Sequence, residues 1–227
     1  MCATIFLMKE VYFKEPTIAF AAQDLIIELF PDGQHRGKNF VPDRSALLVL
    51  DMQAYFLNPD SHAFVPSAPA ILPQLNHLVE TFQKRGRPVF FTQHINTPAN
   101  ANSMQRWWRD LITKDHPHHA LVPEFAVDNH NLITKTQYDA FYGTDLEDQL
   151  RNTGAEQVLI SGVMTHLCCE TTARSAFTRG WDVFFLVDGT ATYNRAFHKS
   201  SLRNIGHGFG TLLTCQDVEL AMHEGNP

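Results

Sequence analysis

Val158, Leu159 and Ile160 form an apolar run, closed by Ser161-Gly162, that is too short for a helix and bounded like a fully buried strand. A different spacing follows it. From Thr165 onward Leu167, Thr171, Ala173, Ala176 and Phe177 recur three and four residues apart, Thr165 is placed to cap the amino end of a helix, and Gly180 falls where a left-handed carboxyl cap belongs. WDVFFLVD then begins a second buried strand. Strand, helix and parallel strand in unbroken succession make a βαβ unit, whose crossover is right-handed in nearly every known case. That unit commits the chain to an α/β architecture.

Cys168 falls on the first turn of this helix, just beyond the carboxyl end of a strand. Free backbone N–H groups and the helix dipole favour negative charge there, so the thiol is expected to ionise more easily than usual. A thiolate is a nucleophile at neutral pH, and the same N–H groups can hold the oxyanion formed when it attacks a carbonyl. A cysteine on a helix facing a sheet is more often simple packing. Cys169 fits that plainer description, and Cys168 taken alone does not escape it.

The rest of the chain supplies partners. SALLVL is a buried strand that delivers Asp51 at its carboxyl end, and PVFFTQ is the next. Between them PAILPQLNHLVETFQKRG places Ile71, Leu72, Leu75, Leu78, Val79 and Phe82 on one helical stripe ended by Gly86. Residues 94 to about 130, rich in Asn, Pro, His and Trp, are longer than a usual strand-to-helix connection and read as binding surface, with MQRWWRDLI as a candidate helix. Leu132 to Thr134 lead to Lys135, and QYDAFYGTDLEDQLRNTG reads as a helix ending near Gly154. HKSSLRNIGHGFG and TLLTC read as a last helix and strand. Apolar strands near residues 46, 88, 131, 157, 182 and 211 thus alternate with helices, as in one doubly wound, mainly parallel sheet of about six strands. Ligands of such sheets bind outside the carboxyl ends of the strands. Asp51, Lys135 and Cys168 all stand at such ends, where a carboxylate can take the thiol proton and an ammonium can steady both anions.

A chain of 227 residues with 44% hydrophobic content has ample core for one domain, residues 43–227, preceded by an arm, residues 1–42. Within the arm, TIAFAAQDLIIELF is apolar enough to pack on the domain or on a neighbouring subunit, as a short helix or an edge strand. A formal charge of −6 gives no reason to expect nucleic acid or membrane as partner. Cys2, Cys168, Cys169 and Cys215 make no CxxC and no disulfide framework, and with no convincing secretory signal a reducing cytoplasm is expected.

VLDMQAYF, ITKTQYDAFYGTDL and SGVMTHLCCETTARSAF resemble the isochorismatase-like cysteine hydrolases, in that order and across about Asp43 to Asp217. The resemblance implies a three-layer α/β/α Rossmann-like sandwich with an Asp-Lys-Cys triad, which falls on Asp51, Lys135 and Cys168. It also implies a non-proline cis peptide before Met164, whose N–H would join that of Cys168 as an oxyanion hole, and a homodimer or homotetramer. Nicotinamidases of the family carry an Asp-x-His metal site after the second strand, where this chain reads FTQHINTPANANSM, so no metal and no cofactor is expected. HPHH at 116–119 lacks the spaced carboxylate or thiol of a metal site and reads as solvated. Isochorismatases themselves resemble the chain in DMQAYF and His166 but place a glycine at the position of Cys168.

The substrate is therefore expected to be a small molecule. Its amide or ureide C–N bond would be cleaved through a thioester, with vinyl ether hydrolysis of isochorismate second and a catalytically silent binding protein third. A redox pair of Cys168 with Cys169 is disfavoured, since neighbouring cysteines on a helix point apart. Phe56, Trp107, Trp108, Phe141 and Tyr142 are candidates for the pocket wall, or for packing under the long loop. Gln93 and His94 are candidate polar contacts, and His166 a group supporting the site.

Overall fold

The six apolar segments form one sheet in the computed structural model, which describes residues 9–31, 33, 37–108, 110–127 and 131–224. Its strands are β1 (Ser45–Leu50), β2 (Val89–His94), β3 (Leu132–Lys135), β4 (Gln157–Val163), β5 (Asp182–Ala191) and β6 (Gly210–Leu213), in the order β3-β2-β1-β4-β5-β6. Each pair of neighbours is parallel. Every residue of β1 and β4 is buried, which is why these strands read as unbroken apolar runs and not as alternation. The chain winds outward from β1 to β3, returns to β4 beside β1, and winds outward again to β6. The reversal between β1 and β4 opens a crevice at their carboxyl ends.

Eight helices complete the described chain: α1 (Ile18–Leu29), α2 (Ala54–Leu57), α3 (Ala68–Lys84), α4 (Met104–Trp107), α5 (Leu146–Asn152), α6 (Glu170–Thr178), α7 (Arg195–Gly208) and α8 (Cys215–Glu224). Right-handed crossovers running in opposite directions along the sheet put α3 on one face and α6 and α7 on the other. α8 packs beside α3, and α1 packs against α7 and β5, which makes three layers. Among the described residues no helix is long and apolar enough to cross a membrane.

Gly162 locks β4 against β1. Its φ is +99°, and a Cβ there would lie 2.1 Å from the Leu50 carbonyl oxygen, so only glycine allows the close approach beside Asp51.

Three local expectations are corrected. The helix read over 137–154 covers only α5, because Tyr138–Gly143 is a run of turns pinned to α6: Thr172 Oγ1 accepts from the Ala140 N–H at 3.0 Å, and Ser175 donates to Asp139 at 2.7 Å. The candidate helix at MQRWWRDLI is the single turn α4. Thr165 caps nothing; its hydroxyl is buried 2.9 Å from His198 Nδ1, and Met164 stands at the helix entry.

TIAFAAQDLIIELF is α1, with Ile18, Ala22, Leu25 and Leu29 on its buried face. Before it, the Tyr12 and Phe13 N–H groups donate to Ser67 Oγ at 3.0 and 3.1 Å, and the Tyr12 hydroxyl accepts from the Thr192 N–H at 2.9 Å. The segment so crosses the carboxyl rim of the sheet. Cys2 lies outside the described residues; Cys168, Cys169 and Cys215 are buried free thiols.

Candidate active site

β1 ends on Asp51, which adopts a left-handed conformation (φ +50°) that turns its side chain across the rim. From β2, Thr92 donates its hydroxyl to Asp51 Oδ1 at 2.6 Å. From β3, Lys135 reaches back to place Nζ 2.8 Å from Asp51 Oδ2 and 3.4 Å from Cys168 Sγ. A carbonyl at Gln137 accepts from the same ammonium at 2.9 Å. Neither charged side chain of the pair is exposed at all (0% each).

A buried ion pair survives only when its desolvation is offset by close partners. Burial pushes the Asp51 carboxyl upward, yet Lys135 first and His94 next outweigh it, and the group is held below the usual carboxylate range. Burial works against the Lys135 ammonium too, but Asp51 and Cys168 raise it to about 12. Asp51 Oδ2 is held by the ion pair with Lys135 and not by a well-aligned hydrogen bond.

Cys168 sits in a wide, π-type turn (Thr165–Cys169) between β4 and α6, after a cis peptide between Val163 and Met164. The expectation of an easily ionised thiol is overturned: burial first, and then the carboxylate of Asp51, push Cys168 up to about 12 against the pull of Lys135. The resting group is a thiol poised beside an ionised acid. Cys169 faces away, its sulfur 3.8 Å from the Ser161 carbonyl oxygen.

Cys168 borders a cleft of about 450 Å³, its open mouth included, which Met164, Leu167 and Phe56 line with apolar surface. Trp108 and Tyr138 form another wall, fixed by a 2.9 Å hydrogen bond from the indole N–H to the phenol oxygen. His94 and Asn96 add polar atoms. Burial and Lys135 push His94 down to about 4, so it is neutral, with Nε2 2.7 Å from Asn96 Oδ1 and Nδ1 3.4 Å from the Lys135 ammonium. With both ring nitrogens engaged, His94 has no lone pair for a cation. Among the described residues no three metal-ligating side chains are grouped to hold one.

Of the residues singled out in the sequence, Phe56, Trp108, Met164 and His94 line the cleft with Cys168. Others lie elsewhere. Gln93 points its amide to the His119 carbonyl, 2.9 Å away. Trp107 is 80% exposed, bordering an adjoining groove with Arg106. Phe141 stacks on Trp181 at 5.5 Å, and Tyr142 is exposed. His166 stacks on Phe197 at 4.5 Å, bonds Thr192 at 2.6 Å, and opens on a different surface.

Sequence reasoning missed Thr92, Asn96, Asp110 and Tyr138. Asp110 Oδ1 accepts from the Tyr55 hydroxyl at 2.5 Å and lies 2.5 Å from His62 Nε2. Tyr55 stood inside DMQAYF and Tyr138 beside Lys135, which was the one available signal for either. Nothing in residues 94–130 marked Asn96 or Asp110.

The profile of the isochorismatase domain matches residues 45–217. The chain is 33% identical over 183 residues to nicotinamidase 3 of Arabidopsis thaliana, spanning 78% of this chain and 88% of that protein. It is 26% identical to enterobactin synthase component B of Escherichia coli K12, over 79% of this chain and 64% of that one. A crystal structure of a cysteine hydrolase from Pseudomonas syringae pv. phaseolicola 1448A superposes with a TM-score of 0.78 at 24% identity, covering 82% of this chain and 96% of that chain.

Proposed function

The chain belongs to the isochorismatase family of hydrolases, and on that premise we propose that it cleaves the C–N bond of a small amide or ureide through a thioester on Cys168. One observation carries the reading. A thiol, a buried carboxylate and the buried ammonium paired with it, brought from three strand ends, meet at the floor of an apolar cleft.

Asp51 takes the Cys168 proton as sulfur attacks the carbonyl carbon, and the C=O electron pair moves onto oxygen. The oxyanion would rest on the N–H groups of Met164 and Cys168. Its collapse breaks the C–N bond, and the proton held on Asp51 leaves with nitrogen as ammonia or an amine. Water then attacks the thioester, giving a proton to Asp51. The second collapse releases the carboxylic acid and returns that proton to sulfur. Lys135 remains charged throughout, compensating the anion that moves between Asp51 and Cys168.

Hydrolysis of the vinyl ether of isochorismate is the second reading, supported by the family description. It needs no nucleophilic sulfur, and His166, which with DMQAYF carried that likeness, lines a different surface. A panel of amides, ureides and isochorismate, read by ammonia or pyruvate release, separates the two. Ammonia release by the native protein that vanishes in Cys168→Ala is the expected result. Undiminished release by that variant would overturn the thioester.

A further inference from the structure

The charge presented to the cleft is one-sided. Among the described residues that line it, Asp110 is the single formally charged group. Lys135 is fully buried behind the floor and committed to Asp51, and His94 is neutral. Arg106, on the same insertion as Asp110, lines the adjoining groove instead.

Asp110 is also fixed in place. Tyr55 and His62, from the segment after β1, converge on its Oδ1 at 2.5 Å each, and His116 approaches Oδ2 at 3.7 Å. Burial opposes the carboxylate, but Tyr55 and His62 hold it below the usual range, so it is ionised. Both histidines lie outside the cleft lining, so an incoming molecule meets the carboxylate and not the imidazoles. Among the described residues that line this cleft a substrate carboxylate would find no cation to pair with and would face the like charge of Asp110, partly screened because that side chain is 42% exposed. A substrate N–H or a cationic ring would find a fixed acceptor.

We propose that Asp110, held by Tyr55 and His62, selects the substrate by charge: neutral or cationic amides are accepted and carboxylate-bearing ones rejected. The inference rests on amide hydrolysis as the reaction, and it disfavours isochorismate on separate grounds, because that molecule carries two carboxylates.

Three planar ring amides that differ in charge test it: 3-carbamoylbenzoate (anionic), nicotinamide (neutral) and 1-methylnicotinamide (cationic). Binding is measured by calorimetry at pH 8 on the Cys168→Ala variant, which separates selection from turnover. The neutral and cationic amides should bind at least about tenfold more tightly than the anion. Asp110→Asn should shrink that spread to about threefold or less, and Asp110→Lys should invert it. Equal or tighter binding of the anion, a spread unmoved by Asp110→Asn, or no binding of any of the three would overturn the assignment. Ammonia release by the native protein is scored separately: its absence for all three, with the binding order intact, counts against the hydrolysis and leaves the charge selection standing.

Discussion

Thr92 grips Asp51 at both ends: its hydroxyl donates to Oδ1 at 2.6 Å and accepts from the Asp51 backbone N–H at 3.1 Å. One oxygen of the acid is thereby occupied and its rotation stopped, while the other stays turned toward Lys135 and the thiol. A hydrogen bond to a buried charge is worth about 1.5–3 kcal/mol. Thr92→Val, nearly the same shape, should lower kcat/KM about tenfold or more with kcat carrying most of the loss, and Thr92→Ser should restore it. A Val variant of native kcat would show that the clamp has no part in the proton transfer.

Lys135 answers for the charge of Asp51. Removing one member of a buried pair leaves an uncompensated ion, at a cost of about 3–5 kcal/mol, whereas removing both charges costs far less. Lys135→Met should therefore be strongly destabilised in urea, and the double variant Asp51→Asn/Lys135→Met should recover most of the difference. Additive losses in the double variant would contradict the coupling.

Cys168, pushed up to about 12, should carry no thiolate at rest. Thiolates absorb near 240 nm, so native protein and Cys168→Ala should have the same absorbance there at pH 7.5, and alkylation by iodoacetamide should be slower than for free cysteine. An excess band in the native protein would restore the easily ionised thiol that the helix position suggested.

That reversal shows where the sequence stops being informative. Asp51, Lys135 and Cys168 were legible because each lies at or just beyond the carboxyl end of a strand readable in the sequence, and in a parallel sheet such ends converge on one rim. Position after a strand says nothing about desolvation, which depends on what covers the site. The cover comes from residues 94–108 and 110–127, tied by backbone bonds to the segment after β1, such as Ala54 N–H to Ala120 and Val122 N–H to Met52, both 2.9 Å. No periodicity records those contacts. Trp107 and Trp108 were therefore indistinguishable in sequence, although one lines the cleft and the other is exposed. The helix read over 137–145 failed for a related reason: Asp139 and Thr144 turn back on their own backbone, with Thr144 donating to the Ala140 carbonyl at 2.6 Å.

Three histidines are held neutral, His94 and His198 buried and His166 partly so: His94 and His166 are pushed down to about 4 and His198 to about 3, in each case chiefly by burial. Their ordinary value is 6.5, so between pH 6.5 and 4 the unfolded chain binds protons that the native one refuses. Their stabilisation is complete above pH 6.5 and is lost as pH falls toward 4. Asp188 opposes this, since burial raises its carboxyl to about 6 and the native state takes its proton first. Three groups against one leave a net loss, at about 1.4 kcal/mol per pH unit for each proton of difference. Urea midpoints should therefore fall steadily from pH 7 to pH 4.5. His198→Phe, which removes an imidazole packed 5.2 Å from the Phe13 ring, should be less stable at pH 7 but should lose stability more gently on acidification. A variant whose midpoints decline as steeply as those of the native protein would show that His198 does not drive the acid sensitivity.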